Sequence, residues 1–188
     1  MGPTIDYYMT PSSPWTYLGH ARFAALAKKF GAAVKVKPVD YGVIFPQSGG
    51  LPLAKRAPQR QAYRLVELKR WSEFLGVPIV LQPKFFPVDA APAAELICGA
   101  PVANRMALAG DLLSALWKED RNLADPTLLR ELGSKHGAAA GDKAVFEANT
   151  QEALARQVFG APSYVYRDEI FWGQDRLELL ERALSKSQ

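Results

Sequence analysis

The 188-residue chain holds a single cysteine, Cys98, and only two histidines, His20 and His136. One cysteine permits neither an internal disulfide nor a Cys-x-x-Cys redox pair. Its neighbours in "AAELICGAP" are apolar, which suggests an inert core thiol. Two isolated histidines and that cysteine offer no ligand spacing, so no metal site is expected. No apolar run approaches the roughly 20 residues of a membrane span. No charged-then-apolar leader opens the chain either, so a soluble, cytoplasmic protein without membrane association is expected. The formal charge of +4 is small, and Lys and Arg are scattered among acids. The one short basic stretch, "LAKRAPQRQAYR", suits a small anionic ligand, and no nucleic-acid partner is expected.

What is present has the ordinary globular balance, 48% hydrophobic and 22% charged, enough for a sizeable core. "IDYYMT" (5–10) is a β-rich run, and "SPWTYLGHARFAALAKKFG" follows it as a helix. Gly19, Phe23, Leu26 and Phe30 share one helical face, and Gly31 supplies the stop. "VKVKPVDY" alternates Val34 and Val36 against Lys35 and Lys37, the pattern of a half-buried strand. From about 56 to 157 the chain is overwhelmingly helical, punctuated by Gly, Pro and Asp-Pro, with no repeat period. In "QRQAYRLVELKRWSEFLG" the stripe is Leu65, Leu68, Trp71 and Leu75. Then "SYVY" and "EIFW" flank Arg167-Asp168, which suits a tight hairpin without the usual glycine. "DRLELLERALS" closes the chain, with Asp175 and Glu178 as a capping box and Leu177, Leu180 and Leu184 as its buried stripe. The order β-α-β, helical insert, β-β-α is that of a thioredoxin fold split by a helical domain. The expected class is α/β, with a thioredoxin-like domain from 1–45 and 158–188 and a helical insertion over 46–157.

Ser13 falls where a helix cap belongs, with Pro14 at the first helical position. A helix N-terminus also carries unpaired N–H groups and a partial positive charge, and it stabilises a thiolate as it does a phosphate. Cap and functional hydroxyl therefore both remain open for Ser13. A hydrolase nucleophile is not expected, because His20 lies about 10 Å along the same helix. His136, before Gly137, suits a helix C-terminus. "QSGGLPL" (47–53) matches no phosphate or dinucleotide pattern and reads as a loop, with Lys55 and Arg56 at its edge for a carboxylate. "FGAPSYVY" suggests a special turn with a cis Ala161–Pro162 bond. "FWGQDR" offers either a cap by Asp175 or N–H groups around Gly173 and Gln174 for a carboxylate.

Four pieces in order, "SPWTYLG", "ELKRWSEFLGVP", "VFGAPSYVY" and "FWGQDRLELLE", cover essentially the whole chain. On them the sequence resembles the 2-hydroxychromene-2-carboxylate isomerases, which are similar to kappa-class glutathione transferases and share the DsbA-like thioredoxin fold. Where DsbA-like oxidoreductases have Cys-Pro-x-Cys, this chain reads Ser13-Pro14-Trp15-Thr16, which excludes disulfide exchange there. The resemblance implies that bound glutathione supplies the thiol and that Ser13 is the catalytic residue holding it as thiolate. It implies that Ala161, Pro162, Trp172, Gly173, Gln174 and Asp175 bind the tripeptide, with Gln174 where the family usually has Asn. On the substrate side it implies Trp15, Phe45, Pro52, Phe85 and Phe86, with Lys55 for the carboxylate of a small aromatic acid. Naphthalene-pathway members carry lysine near 45 and tyrosine near 85, where this chain has Phe45 and Phe85. The activity implied is isomerisation through glutathione thiolate addition, in a homodimer. A kappa-like glutathione transferase and a non-catalytic glutathione-binding module are the alternatives.

Overall fold

The structure is a computed structural model that describes residues 2–186. β1 (Thr4–Met9), α1 (Pro14–Lys29) and β2 (Ala33–Pro38) form the expected β-α-β unit, with β1 and β2 parallel. After the helices come β3 (Ser163–Tyr166) and β4 (Glu169–Trp172), which complete a four-stranded sheet in the order β2-β1-β3-β4. β3 runs antiparallel to both neighbours. The two-residue connection Arg167-Asp168 has positive φ at both positions, 51° and 64°. That is the geometry a tight hairpin needs, adopted here without glycine.

The side-chain alternation of β1 explains why helices cover both faces. Ile5, Tyr7 and Met9 point into a core that includes Phe23 of α1, Val36 of β2 and Tyr164. Tyr8 points to the opposite face, among Val39, Ile44, Ala153 and Val165. Between these strands the chain forms α2 (Tyr41–Ser48), a 3-10 turn at Leu53–Lys55, and α3 (Pro58–Leu75). Then follow α4 (Ala91–Gly99), α5 (Arg105–Trp117), α6 (Pro126–His136) and α7 (Lys143–Ala155), and α8 (Leu177–Ser185) ends the fold. Leu68 of α3 is fully buried, while Leu65, Trp71 and Leu75 are partly so. Among the described residues no helix is long and apolar enough to cross a membrane.

Two local expectations are corrected. The stretch after Pro38 does not continue as strand and loop: Asp40 accepts from the Gly42 N–H at 2.7 Å and starts α2, which contains Pro46. Asp175 does not cap the last helix. A 3-10 turn, Gln174–Arg176, intervenes before α8, whose start has no side-chain cap, and Asp175 pairs with Arg176 at 2.5 Å. The buried stripe of α8 is as expected, Leu177, Leu180 and Leu184.

Candidate active site

The register of the strands gathers three distant segments at one end of the sheet. Tyr8 lies opposite Ser163, and Ser163 lies opposite Trp172. Residues 10–13 leave β1 at the same level as 160–162 enter β3 and 173–175 leave β4. The Gly173 N–H donates to the Pro162 carbonyl at 2.9 Å, which ties the last two together. The Ala161–Pro162 bond is cis. Tyr41 of α2 closes the group, its hydroxyl donating to the Gly160 carbonyl at 2.7 Å.

Ser13 is the N-cap of α1, with extended backbone, and its Oγ accepts from the Thr16 N–H at 3.2 Å. That satisfies the oxygen but leaves the hydroxyl proton without an acceptor among the described residues. Pro14 has no N–H, and the Trp15 N–H lies in the first turn, where the helix offers no carbonyl. The Thr16 hydroxyl is buried and has no hydrogen-bond partner. The start of α1 thus holds donors that no carboxylate of the described residues accepts. The site favours an anion that accepts hydrogen bonds.

Trp172 is half exposed, and its indole lies directly on Gly160, where a Cβ would come within 2.3 Å of Nε1. Phe159 packs beside it, with the ring centroids 4.9 Å apart. Gly173 has φ +102°, and the Asp175 carboxylate occupies the place of its missing side chain. Gln174 points inward and is 2% exposed; Arg22 donates to its Oε1 at 2.8 Å and to its carbonyl at 3.3 Å. The amide therefore fastens the 174–176 turn to α1. A Cβ on Gly19 would come within 2.7 Å of the Gln174 Cβ, which shows how closely the helix passes.

The substrate-side expectations are distributed differently. Trp15 is partly buried in the first turn of α1. Phe45 lies on α2 across Gly50, 5.3 Å from the Tyr41 ring. Pro52 and Lys55 are exposed around the 3-10 turn, and partly buried Phe85 packs against the main core. Neither histidine is placed as a base. His20 is buried between the Tyr7 hydroxyl (3.2 Å) and the Met106 carbonyl (3.0 Å), and burial pushes its pKa down. His136 ends α6 and meets Asp111 at 2.6 Å. Cys98 is buried in a separate cluster, where burial pushes its thiol up to about 12. Sequence reasoning passed over Arg22, Tyr41 and Thr16. Only Thr16 carried a signal, as the last residue of the four-residue slot that opens α1.

The DSBA-like thioredoxin domain matches residues 4–185. The chain belongs to that family. Among curated proteins this member of the DSBA-like family is similar to the 2-hydroxychromene-2-carboxylate isomerases of Sphingobium xenophagum and Pseudomonas putida. The first is 29% identical, covering 98% of this chain and 99% of that one. The second is 27% identical, covering 97% and 94%. Glutathione S-transferase kappa 1 of Caenorhabditis elegans is 24% identical over 99% of this chain and 92% of that one. In three dimensions the fold is similar to a 2-hydroxychromene-2-carboxylate isomerase (TM-score 0.79, 24% identity, 97% and 95% covered). It is also similar to the disulfide reductase DsbM of Pseudomonas aeruginosa with GSH (TM-score 0.64, 19% identity, 97% and 99% covered). In this chain the end of α1 carries a hydroxyl at Ser13 and another at Thr16, and the lone thiol is shut away in the core.

Proposed function

We propose that this protein is a glutathione-dependent isomerase that interconverts a hydroxychromene carboxylate and a trans-o-hydroxybenzylidenepyruvate. The observation that carries this reading is the pair of unanswered donors at the start of α1, the Ser13 hydroxyl proton and the Trp15 N–H. The residues present fit glutathione. Ser13 lies about 9 Å along the helix from Gly19, which touches Gln174, and an extended tripeptide spans about 10 Å. In this reading the thiol end lies at Ser13, Ala161 and Pro162 flank its middle, and the other end meets Trp172, Gly173 and Asp175. Gln174 holds that turn in place through Arg22.

Glutathione, when bound, supplies a sulfur nucleophile whose reversible addition to the conjugated acid permits ring opening, bond rotation and release. Ser13 donates its hydrogen bond to the sulfur and keeps it ionised, and the helix N-terminus adds its partial positive charge. Trp15 and the neighbouring apolar side chains exclude water from the reacting atoms, which strengthens that stabilisation. The strands with α1 and α8 provide the glutathione side; Phe45 of α2, together with Pro52, Lys55 and Phe85 from residues 46–157, provides the substrate side. Cytoplasmic location and a homodimer belong to the same proposal, the latter checked by sedimentation.

The kappa-class relative supports a second reading, transfer of glutathione to an electrophile. Turnover of a hydroxychromene carboxylate with glutathione far below substrate concentration separates the two. An isomerase brings the whole substrate pool to equilibrium without consuming glutathione, whereas a transferase stops when glutathione is spent. Conversion that is independent of glutathione, or no glutathione binding at all, contradicts the proposal.

A further inference from the structure

Arg64 is a part-buried cation that no carboxylate of the described residues neutralises. It lies on the inward stripe of α3, one turn before fully buried Leu68. Its guanidinium sits 5.2 Å from the Phe86 ring centroid and 5.8 Å from that of Trp117. Its Nη2 is shut away from solvent without a hydrogen-bond partner, and no carboxylate of the described residues reaches ion-pair distance. Burial, with Arg56 nearby as a second positive charge, pushes its pKa down to about 10. Stacking on two rings offsets part of the cost of desolvation but leaves the donor fork unused. The buried Trp117 Nε1 is a second donor without a partner in the same place.

The packing of the helices puts this pair of donors on the side of the candidate site. α1 contacts both α3 and α5. His20, midway along α1, meets Met106 at the start of α5, while Tyr17, nearer the Ser13 end, bonds the Pro78 carbonyl at 2.6 Å. Two residues on, the Val80 N–H donates to the Trp117 carbonyl at 2.6 Å. The two helices therefore run in opposite directions, and the Trp117 end of α5 lies toward Ser13. Exposed Lys55, by contrast, is a hydrated point charge on a surface turn.

We infer that Arg64, with the Trp117 indole N–H beside it, seats the carboxylate of the aromatic acid and so selects anionic over neutral aromatic ligands. This rests on the isomerase reading for its place in a reaction. The chemistry needs only a planar carboxylate, which a guanidinium fork grips by two parallel hydrogen bonds, with an aromatic body against the Phe86 wall.

The probe is trans-cinnamate compared with neutral cinnamamide, each titrated without glutathione and followed by tryptophan fluorescence. The wild type is expected to bind cinnamate at least tenfold more tightly than the amide. Arg64→Met should remove that preference while glutathione affinity stays unchanged, and Arg64→Lys should retain part of it. In turnover, Arg64→Met should raise KM for the hydroxychromene carboxylate far more than it lowers kcat. A preference that persists in folded Arg64→Met, or a wild type that does not discriminate, overturns the inference. Should Arg64→Met fail to fold, full cinnamate affinity in Arg64→Lys overturns it equally. Absence of glutathione binding defeats the isomerase reading alone, because the cinnamate comparison does not involve glutathione.

Discussion

Ser13 uses one hydroxyl in two directions. Its oxygen caps α1, and its proton is free for a ligand. The cap was legible in "SSPW", because a serine before proline satisfies a strictly local rule. The proposed second use, holding a thiolate, depends on a ligand shared with residues 160–175, which pairing of distant strands brings to the same end of the sheet. Replacing Ser13 with Ala should lower isomerase turnover by one to three orders of magnitude, about 1.4–4 kcal/mol of transition-state stabilisation. Thermal or urea unfolding should register only about 1 kcal/mol, the usual worth of a cap. Unchanged turnover with a lowered melting temperature would leave the residue a cap and nothing more. Cys98 makes the complementary case. Its raised thiol pKa and burial predict no labelling by a thiol reagent until the protein unfolds, and full activity in Cys98→Ala. Asp175 shows where local reading misleads. The D-x-x-E spacing is the same whether a helix or a 3-10 turn follows, and here the turn places its carboxylate over Gly173.

At the scale of elements, long periodic segments were legible and short irregular ones were not. The stripes of α1 and α8 announced themselves through apolar spacing, and the β3–β4 hairpin through two β-runs flanking a pair of residues. α2 was hidden because it is eight residues long, includes Gly42 and Pro46, and is held by burial of Tyr41 and Ile44 rather than by propensity. Its only local mark was Asp40. The contact between α1 and the 174–176 turn depends on Gly19, whose lack of a side chain lets the two backbones approach. Gly19→Ala places a methyl 2.7 Å from the Gln174 Cβ and 3.1 Å from the Tyr164 hydroxyl, neither of which can swing away cheaply. The expected cost is about 1–3 kcal/mol of stability, as for overpacking elsewhere. Glutathione affinity should fall as well, because the turn carrying Gly173 and Asp175 is displaced. Calorimetric titration checks this, and unchanged affinity would detach that turn from the ligand site.

Across the whole molecule, the chain order β-α-β, helices, β-β-α was legible from the residues, but the gathering of residues 10–13, 160–162 and 173–175 was legible only through the family resemblance. It depends on strand pairing across more than a hundred residues, and sequence spacing carries no register for it. The same long-range pairing builds an ion cluster under the sheet, in which Asp6 meets Lys37 at 3.0 Å and Arg156 at 2.6 Å. Burial alone would raise the Asp6 pKa, yet Lys37 and Arg156 outweigh it and hold the carboxyl below its ordinary range. Its contribution to stability is therefore complete above the unfolded pKa, about 4, and is lost as pH falls through the lower folded value. Urea midpoints should decline below about pH 4, and Asp6→Asn should start lower and decline less. The most direct test of the proposed chemistry is the pH dependence of thiolate absorbance for glutathione bound to the wild type and to Ser13→Ala. The wild type should hold the bound sulfur ionised well below the ordinary thiol pKa of about 8.5, and Ser13→Ala should return it toward that value. A bound thiol that titrates near 8.5 in both proteins would contradict the role given to Ser13 and the helix end.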